Sequence, residues 1–223
     1  MSKLSQHGFS YGLILLWVII WLIGQRIDLT GQFAGKGLGQ IGHEYYRFGT
    51  SLFLHSGVLH LIANATALYW IGVYLEPQFS AGKLCLFSMA VAMMAQVCFS
   101  MIYRDSLNVG GSPIVFALIG LIVMLNIMKK AAYGFELGTW YGNWILGYAV
   151  LSSLPILGND ISILVIHGFS LFFWNAVRRN CDRYPFLLIP ARILSAGRWG
   201  HAPTLQKMFF RRIICLNYTK NPF

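Results

Sequence analysis

Apolar residues in this chain come in blocks. The first runs from Phe9 to Gly24 (FSYGLILLWVIIWLIG), and others follow at roughly 58–75, 84–102, 112–128, 140–157 and 161–177. A bilayer core of about 30 Å takes roughly 20 apolar residues as a helix, with a range of about 17–25, and several blocks sit near the lower end. In lipid, backbone amides must be paired within the segment or within a closed barrel. The blocks are too long and too continuous for tilted barrel strands. The pattern therefore predicts an all-α membrane protein of six transmembrane helices. The first block has no small-residue cleavage site and the chain behind it stays apolar, so it reads as a retained span rather than a secretory signal.

Between the first two blocks lies a long loop, about Gln25 to Ser56, containing GQFAGKGLGQIGHEYYRFGTSLFLH. Loops beyond about 12–15 residues tend to be functional or disordered. The aromatic, apolar second half of this one argues for order, lying partly in the outer interface. Before the fourth block, Asn108-Val109-Gly110-Gly111 reads as a tight turn with close backbone approach. Pro155 and Gly158 mark the turn between the last two blocks.

Composition agrees with lipid as the main solvent. The chain is 223 residues, 57% hydrophobic and only 11% charged, against about a quarter charged in soluble domains. Net charge is +10, and its location matters more than its size. With the N-terminus inside, the inner segments hold Lys3, Lys83, Lys129, Lys130 and the bases of a tail that starts at Arg178. The outer segments hold Arg26, Lys36, Arg47 and Arg104. Both termini are thus expected in the cytoplasm. The organisation expected is a membrane domain over residues 1–177 and a basic cytoplasmic tail over 178–223. Contact with anionic lipid explains that tail better than nucleic acid does, so no nucleic-acid partner is expected. Cys85, Cys98, Cys181 and Cys215 form no CxxC or close ligand spacing and read as reduced, structural thiols.

Polar groups inside spans are costly and default to functional candidates. Here they are His60 and Asn64 in the second block, Ser112 opening the fourth, and His167 in the sixth. Each alone has a bland explanation: a serine bonding its own helix, a packed histidine, an asparagine bridging helices. Their joint depth changes the balance. The second, fourth and sixth spans all start outside. Ser112 lies at an outer end, and His167 is about six residues in, roughly 9 Å at 1.5 Å per residue. His60 and Asn64, four apart, share a helix face. A serine needs an adjacent base, most often histidine, and a developing oxyanion needs placed donors. With no Asp or Glu suited to orient the histidine, the reading is a dyad in a water-reached cavity. His55 and His60 lack carboxylate or thiolate partners at ligand spacing, so no metal site is expected.

YYRFGTSLFLHSGVLHLIANATALYWIGVYLE (Tyr45–Glu76), GGSPIVFALIG (Gly110–Gly120) and ISILVIHGF (Ile161–Phe169) together resemble the motifs of the rhomboid intramembrane serine proteases, in correct order. The resemblance implies six helices around a water-filled cavity and cleavage of membrane-anchored proteins within or near their spans. Transmembrane protein substrates and the bilayer would be the partners, and no cofactor is implied. Ser112 would be nucleophile, His167 general base and acid, and His60 and Asn64 part of the oxyanion hole. Tyr46 and Arg47 fall on the family's aromatic-Arg motif, to which a structural role is given, and Gly110 and Gly111 on the turn before the serine. Substrate would enter past the fifth span, with the loop after it as a lid. Three positions depart from the family pattern: Pro113 after the serine, Ala117 five after it, and Ser170 and Trp174 where span-six glycines are usual. Gly111 stands where inactive relatives tend to carry proline, which favours activity. A catalytically inactive client-binding protein is the competing reading. A small transporter is the third, disfavoured by the lack of paired broken helices. Six spans without an obvious transit peptide suggest a bacterial plasma membrane.

Overall fold

The computed structural model describes residues 8–127, 138–154 and 161–178. The elements run α1 (Gly8–Gly24), α2 (Leu29–Phe33), β1 (Gly35–Lys36), α3 (Arg47–Thr50), a 3-10 turn (Ser51–Phe53), α4 (Val58–Leu75), α5 (Ala81–Ile102), β2 (Leu107–Asn108), α6 (Ser112–Ile127), α7 (Trp140–Ser153) and α8 (Ile161–Arg178). The protein is mostly helical, and each apolar block carries one long helix. By length and composition α4 and α5 suffice to cross a membrane, while Gly8–Gly24, Ser112–Asn126 and Ser162–Phe173 are shorter apolar helical stretches. The turn expected at Pro155 and Gly158, the inner bases Lys129 and Lys130, the side chain of Trp174, Cys181, Cys215 and the tail beyond Arg178 lie outside the described residues.

The helix α6 is the centre of the fold. A helix apolar on every side has no face to give to a surface. Ile114, Val115, Ala117, Leu118 and Met124 are accordingly fully buried, and α6 packs against α4, α5 and α8. Around it, α1 lies on α4 and α5, and α7 on α4 and α8. Lipid-type exposure falls on the outer helices, as at Leu15, Leu59, Leu86 and Leu151.

Two polar devices fix the periphery. The first N–H groups of a helix have no partner within it and favour an anion. At α1 that anion is Glu76, at the far end of α4, whose carboxylate accepts from the N–H of Phe9 and of Ser10 and from the Ser10 hydroxyl. A side chain at Gly72 would collide with Ser10, its Cβ 2.4 Å from Oγ, so glycine there permits the approach.

The long first loop is the second device. β1 pairs antiparallel with β2, Gly35 opposite Asn108 and Lys36 opposite Leu107. The N–H groups of Gly37, Leu38 and Gly39 donate to the carbonyls of Ser106, Ser100 and Arg104, closing the end of α5. A Cβ on Gly37 would stand 2.2 Å from the carbonyl oxygens of both Tyr103 and Arg104. Arg47 is the loop's hub. Buried at 3% exposure, it donates to the Ala34 and Gly31 carbonyls and to both oxygens of Glu44. Glu44 also takes Lys36 at 2.9 Å and the Tyr46 hydroxyl. The Arg47 guanidinium beside it, with Lys36, holds the Glu44 carboxyl down at about 2.

Candidate active site

Ser112 opens α6, half-buried, at the end of the turn that β2 leads into. Both glycines before it are required by their neighbours. Gly110 has φ +143°, in the region L side chains avoid, and its absent Cβ leaves room for the His60 ring, whose Cε1 would lie 2.7 Å away. A Cβ on Gly111 would stand 2.2 Å from Cζ2 of Trp17. Imidazole and indole therefore rest on the backbone immediately ahead of the serine. Pro113 is buried in the first turn of α6, where a missing N–H leaves no helical bond unmade. The Ser112 amide remains, at the positive end of the helix.

His167, on α8, is 2% exposed. Its ring stacks on Phe116, centroids 3.7 Å apart and planes 12° from parallel. Phe116 lies four residues after Ser112, on the same face of α6. Sequence-distant Ser112 and His167 are thus brought onto one side of one helix turn. Nδ1 of His167 pairs with Ser153 Oγ at 3.2 Å, whereas Nε2 is buried with no hydrogen-bond partner. No hydrogen bond therefore joins the imidazole to Ser112. Such bonds are often long in unliganded sites and close when substrate is bound.

Asn64 is 1% exposed on α4. Its Oδ1 accepts from the Tyr148 hydroxyl at 2.5 Å, and Nδ2 has no partner. Tyr148 in turn lies 5.8 Å from the Phe116 ring, centroid to centroid, so the asparagine joins the same cluster. His60 joins it from the Gly110 side, with Nδ1 paired to Ser56 Oγ at 3.1 Å. His55 lies between Trp17 and His60, at 5.1 and 5.2 Å. Burial, and then the neighbouring His60, push its imidazole down to about 3.

Tyr46 and Arg47 are elsewhere, in the first-loop network. The Tyr46 hydroxyl bonds the Gln32 carbonyl and Glu44, and nothing places either residue against the serine. Of the departures from the family pattern, Ala117 is fully buried and Ser170, also buried, turns its hydroxyl to the Ile166 carbonyl of its own helix.

Three members of the cluster escaped the sequence reading: Phe116, Tyr148 and Ser153. Phe116 was accessible from its spacing of four from Ser112. Tyr148 and Ser153 are hydroxyls in an apolar block, the kind of residue the cost of burying polar groups in lipid singles out. Which groups they serve, across 84 and 14 residues, only the fold reveals.

Comparison with known proteins gives the family. Residues 42–170 match the Rhomboid domain. Inactive RHOMBOID-like protein 8 of Arabidopsis thaliana is 28% identical over 149 residues, 67% of this chain and 38% of that protein. Rhomboid protease GluP of Bacillus subtilis is 24% identical over 148 residues, 62% of this chain and 29% of that one. Putative rhomboid protease YdcA of the same bacterium is 23% identical over 159 residues, 70% of this chain and 78% of that one. The chain spans less than half the length of the first two relatives, 38% and 43%. Plant and bacterial proteins both match, so the bacterial membrane suggested by the sequence gains no support over a plant one. The domain match extends over more than half the chain and takes in His60, Asn64, Ser112 and His167: this chain belongs to the rhomboid family of membrane proteins.

Proposed function

We propose that the chain is an intramembrane serine endopeptidase of six spans with cytoplasmic termini, cleaving membrane-anchored proteins within or near their transmembrane segments. The observation that carries this is the His167 ring, stacked on Phe116 one turn from Ser112 with Nε2 buried and unpartnered. A buried ring nitrogen without a partner is costly, and a serine proton in transit is the partner it fits.

In this reading Ser112 Oγ bonds to the scissile carbonyl carbon as its proton passes to His167 Nε2. The oxyanion is met by the Ser112 N–H at the start of α6 and by Asn64 Nδ2, which has no other partner among the described residues. His60 joins them if its Nδ1 accepts from Ser56, which leaves Nε2–H to donate. Collapse breaks the C–N bond, and His167 returns the proton to the leaving amine. Water then repeats the sequence on the acyl-serine, releasing the acid and restoring both residues. Substrate identity in this reading is any chain that presents an unwound segment to the site from the bilayer.

A second reading has a specific observation behind it. Pro113 replaces the glycine usual after the serine, and one relative bears the name of an inactive protein. The chain would then bind membrane clients without cleaving them. A fluorophosphonate probe on purified protein decides between the two. The endopeptidase reading expects covalent labelling of wild type, none of Ser112→Ala, and cleavage of a membrane-anchored reporter abolished by Ser112→Ala and by His167→Ala. A folded wild type that neither labels nor cleaves refutes it.

A further inference from the structure

We propose that α7 orients both halves of the reactive centre, Tyr148 setting the amide of Asn64 and Ser153 setting the imidazole of His167. The inference rests on the endopeptidase reading above and deepens it. Neither residue touches a reacting atom, so both are positioning residues.

The amide of Asn64 has a carbonyl and an NH2 group related by a half-turn, and its partners decide which way it faces. Among the described residues the Tyr148 hydroxyl is the side-chain partner of that amide, and it takes Oδ1 while Nδ2 has none. Both N–H groups of Nδ2 are thereby left buried and free for an incoming acceptor. The same logic holds at His167. A neutral imidazole has one donor and one acceptor nitrogen, and the hydrogen bond at one fixes the role of the other. With Ser153 Oγ accepting from Nδ1–H, the lone pair is on Nε2, the nitrogen with no hydrogen-bond partner. In families that use a carboxylate for this task the orienter is charged; here a neutral hydroxyl stands in that place.

Both anchors come from one helix, and neither comes from the helix that carries the oriented group. Asn64 is on α4, His167 on α8, and α7 packs against both. Its opposite face is turned outward, with Trp140, Leu146, Val150 and Leu151 exposed, while Ile145 packs inward beside Tyr148. Tyr148 and Ser153 are therefore its inward polar contacts to the site. Displacing α7 would release the asparagine amide and the histidine tautomer together while leaving Ser112 in place on α6.

The test uses the full chain in lipid nanodiscs and reads the second-order rate of fluorophosphonate labelling at Ser112, with thermal unfolding as the folding control. Tyr148→Phe should slow labelling about tenfold, the size of one buried hydrogen bond, and should slow it no further in an Asn64→Ala background. Ser153→Ala should slow labelling by a similar factor and shift the midpoint of the pH–rate profile, while Ser153→Thr, which keeps the hydroxyl, restores both. Leu151→Ala, on the outward face, should label like wild type. Equal slowing by Tyr148→Phe in both backgrounds would mean a general loosening of α7 and would overturn the proposal, as would unchanged rate and pH profile in Ser153→Ala. Should Ser153→Ala fail to fold, Ser153→Cys replaces it under the same criteria. Labelling of wild type lost in Ser112→Ala upholds the endopeptidase reading whatever the α7 variants do; a wild type that does not label sinks both.

Discussion

Adding one methyl group at Gly111 tests whether the backbone ahead of Ser112 is held by the indole of Trp17. The new Cβ would lie 2.2 Å from Cζ2 and 2.7 Å from Cε2 and Cη2 of that ring. Carbon–carbon contact is comfortable at about 3.5 Å, so the ring must retreat by about 1 Å. It has nowhere to go: Trp17 is fully buried, and its Nε1–H donates to the Leu52 carbonyl at 3.2 Å. Overfilling a packed core costs about 1–3 kcal/mol, and the strained or lost hydrogen bond adds about 1 kcal/mol. Gly111→Ala should therefore cost about 2–4 kcal/mol. The assay is reversible unfolding in mixed micelles, with the labelling rate at Ser112 measured alongside. Trp17→Leu removes the colliding ring. On its own it costs about 3 kcal/mol by large-to-small replacement, but combined with Gly111→Ala it should destabilise by at least about 1 kcal/mol less than the two changes added. Wild-type stability and labelling in Gly111→Ala, or strict additivity with Trp17→Leu, would refute the reasoning. Proline at this position would put a ring atom in the same place, which gives a steric reason for a glycine ahead of the serine.

Other consequences follow from the loop and its charges. Gly37→Ala sets a Cβ against two backbone carbonyls, so it should lower the unfolding midpoint well below that of Gly57→Ala, where nothing lies within 4 Å; equal midpoints would show that the loop yields. Glu44, held at about 2 against an unfolded 4.5, contributes stability that is complete above about pH 4.5 and drains as pH falls toward 2, and Glu44→Gln should flatten that acid limb in a pH series of unfolding midpoints. His55, held at about 3 against 6.5, resists the proton its unfolded form takes up, so stability should begin to fall already below about pH 6.5. His55→Phe should make the decline between pH 6.5 and 4.5 shallower and leave the Glu44 limb intact; an unchanged slope there would assign the decline to other groups.

The positions of the six long helices were legible because lipid leaves the backbone no alternative. A continuous apolar block has to close its own hydrogen bonds, and each block did so within a few residues of the expected limits. The first loop was legible as ordered but not as built. Its glycines at 35, 37 and 39 look like punctuation in the sequence, yet they serve contacts with residues 103–108, some seventy positions on. Arg47 was assigned a structural role from its motif, while Glu44, three residues earlier and its main ionic partner, passed unremarked. The four candidate residues are proposed from their shared depth in the spans. Their orienting partners are not, because depth says which residues lie in one layer and nothing about which side chains face each other. The sequence offers no Asp or Glu suited to orient His167, and among the described residues its Nδ1 pairs with the Ser153 hydroxyl. A hydroxyl was not considered, since serines in apolar blocks bond their own helices so often, as Ser152 and Ser170 do here.

The division of labour among the helices follows from burial. Ser112, the proposed nucleophile, opens α6, whose displacement would expose ten buried hydrophobic residues, at roughly 1.5–3 kcal/mol for each large one. Ser112 is therefore fixed by the core itself. The groups that must be aimed at it are different in kind: an amide that can flip and an imidazole that can change tautomer, each carried on an outer helix and each steered by a single hydroxyl. Those hydroxyls sit on α7, whose outward face is already apolar and exposed. Moving α7 would break two hydrogen bonds and uncover Ile145 and Tyr148, against the ten apolar side chains that α6 buries. A reactive centre assembled this way loses its aim long before it loses its fold, so activity should fail at milder perturbation than stability does. Titrating detergent against the labelling rate and against unfolding in the same sample should separate the two curves, with labelling lost first, and superimposed curves would place the weak point in α6 instead.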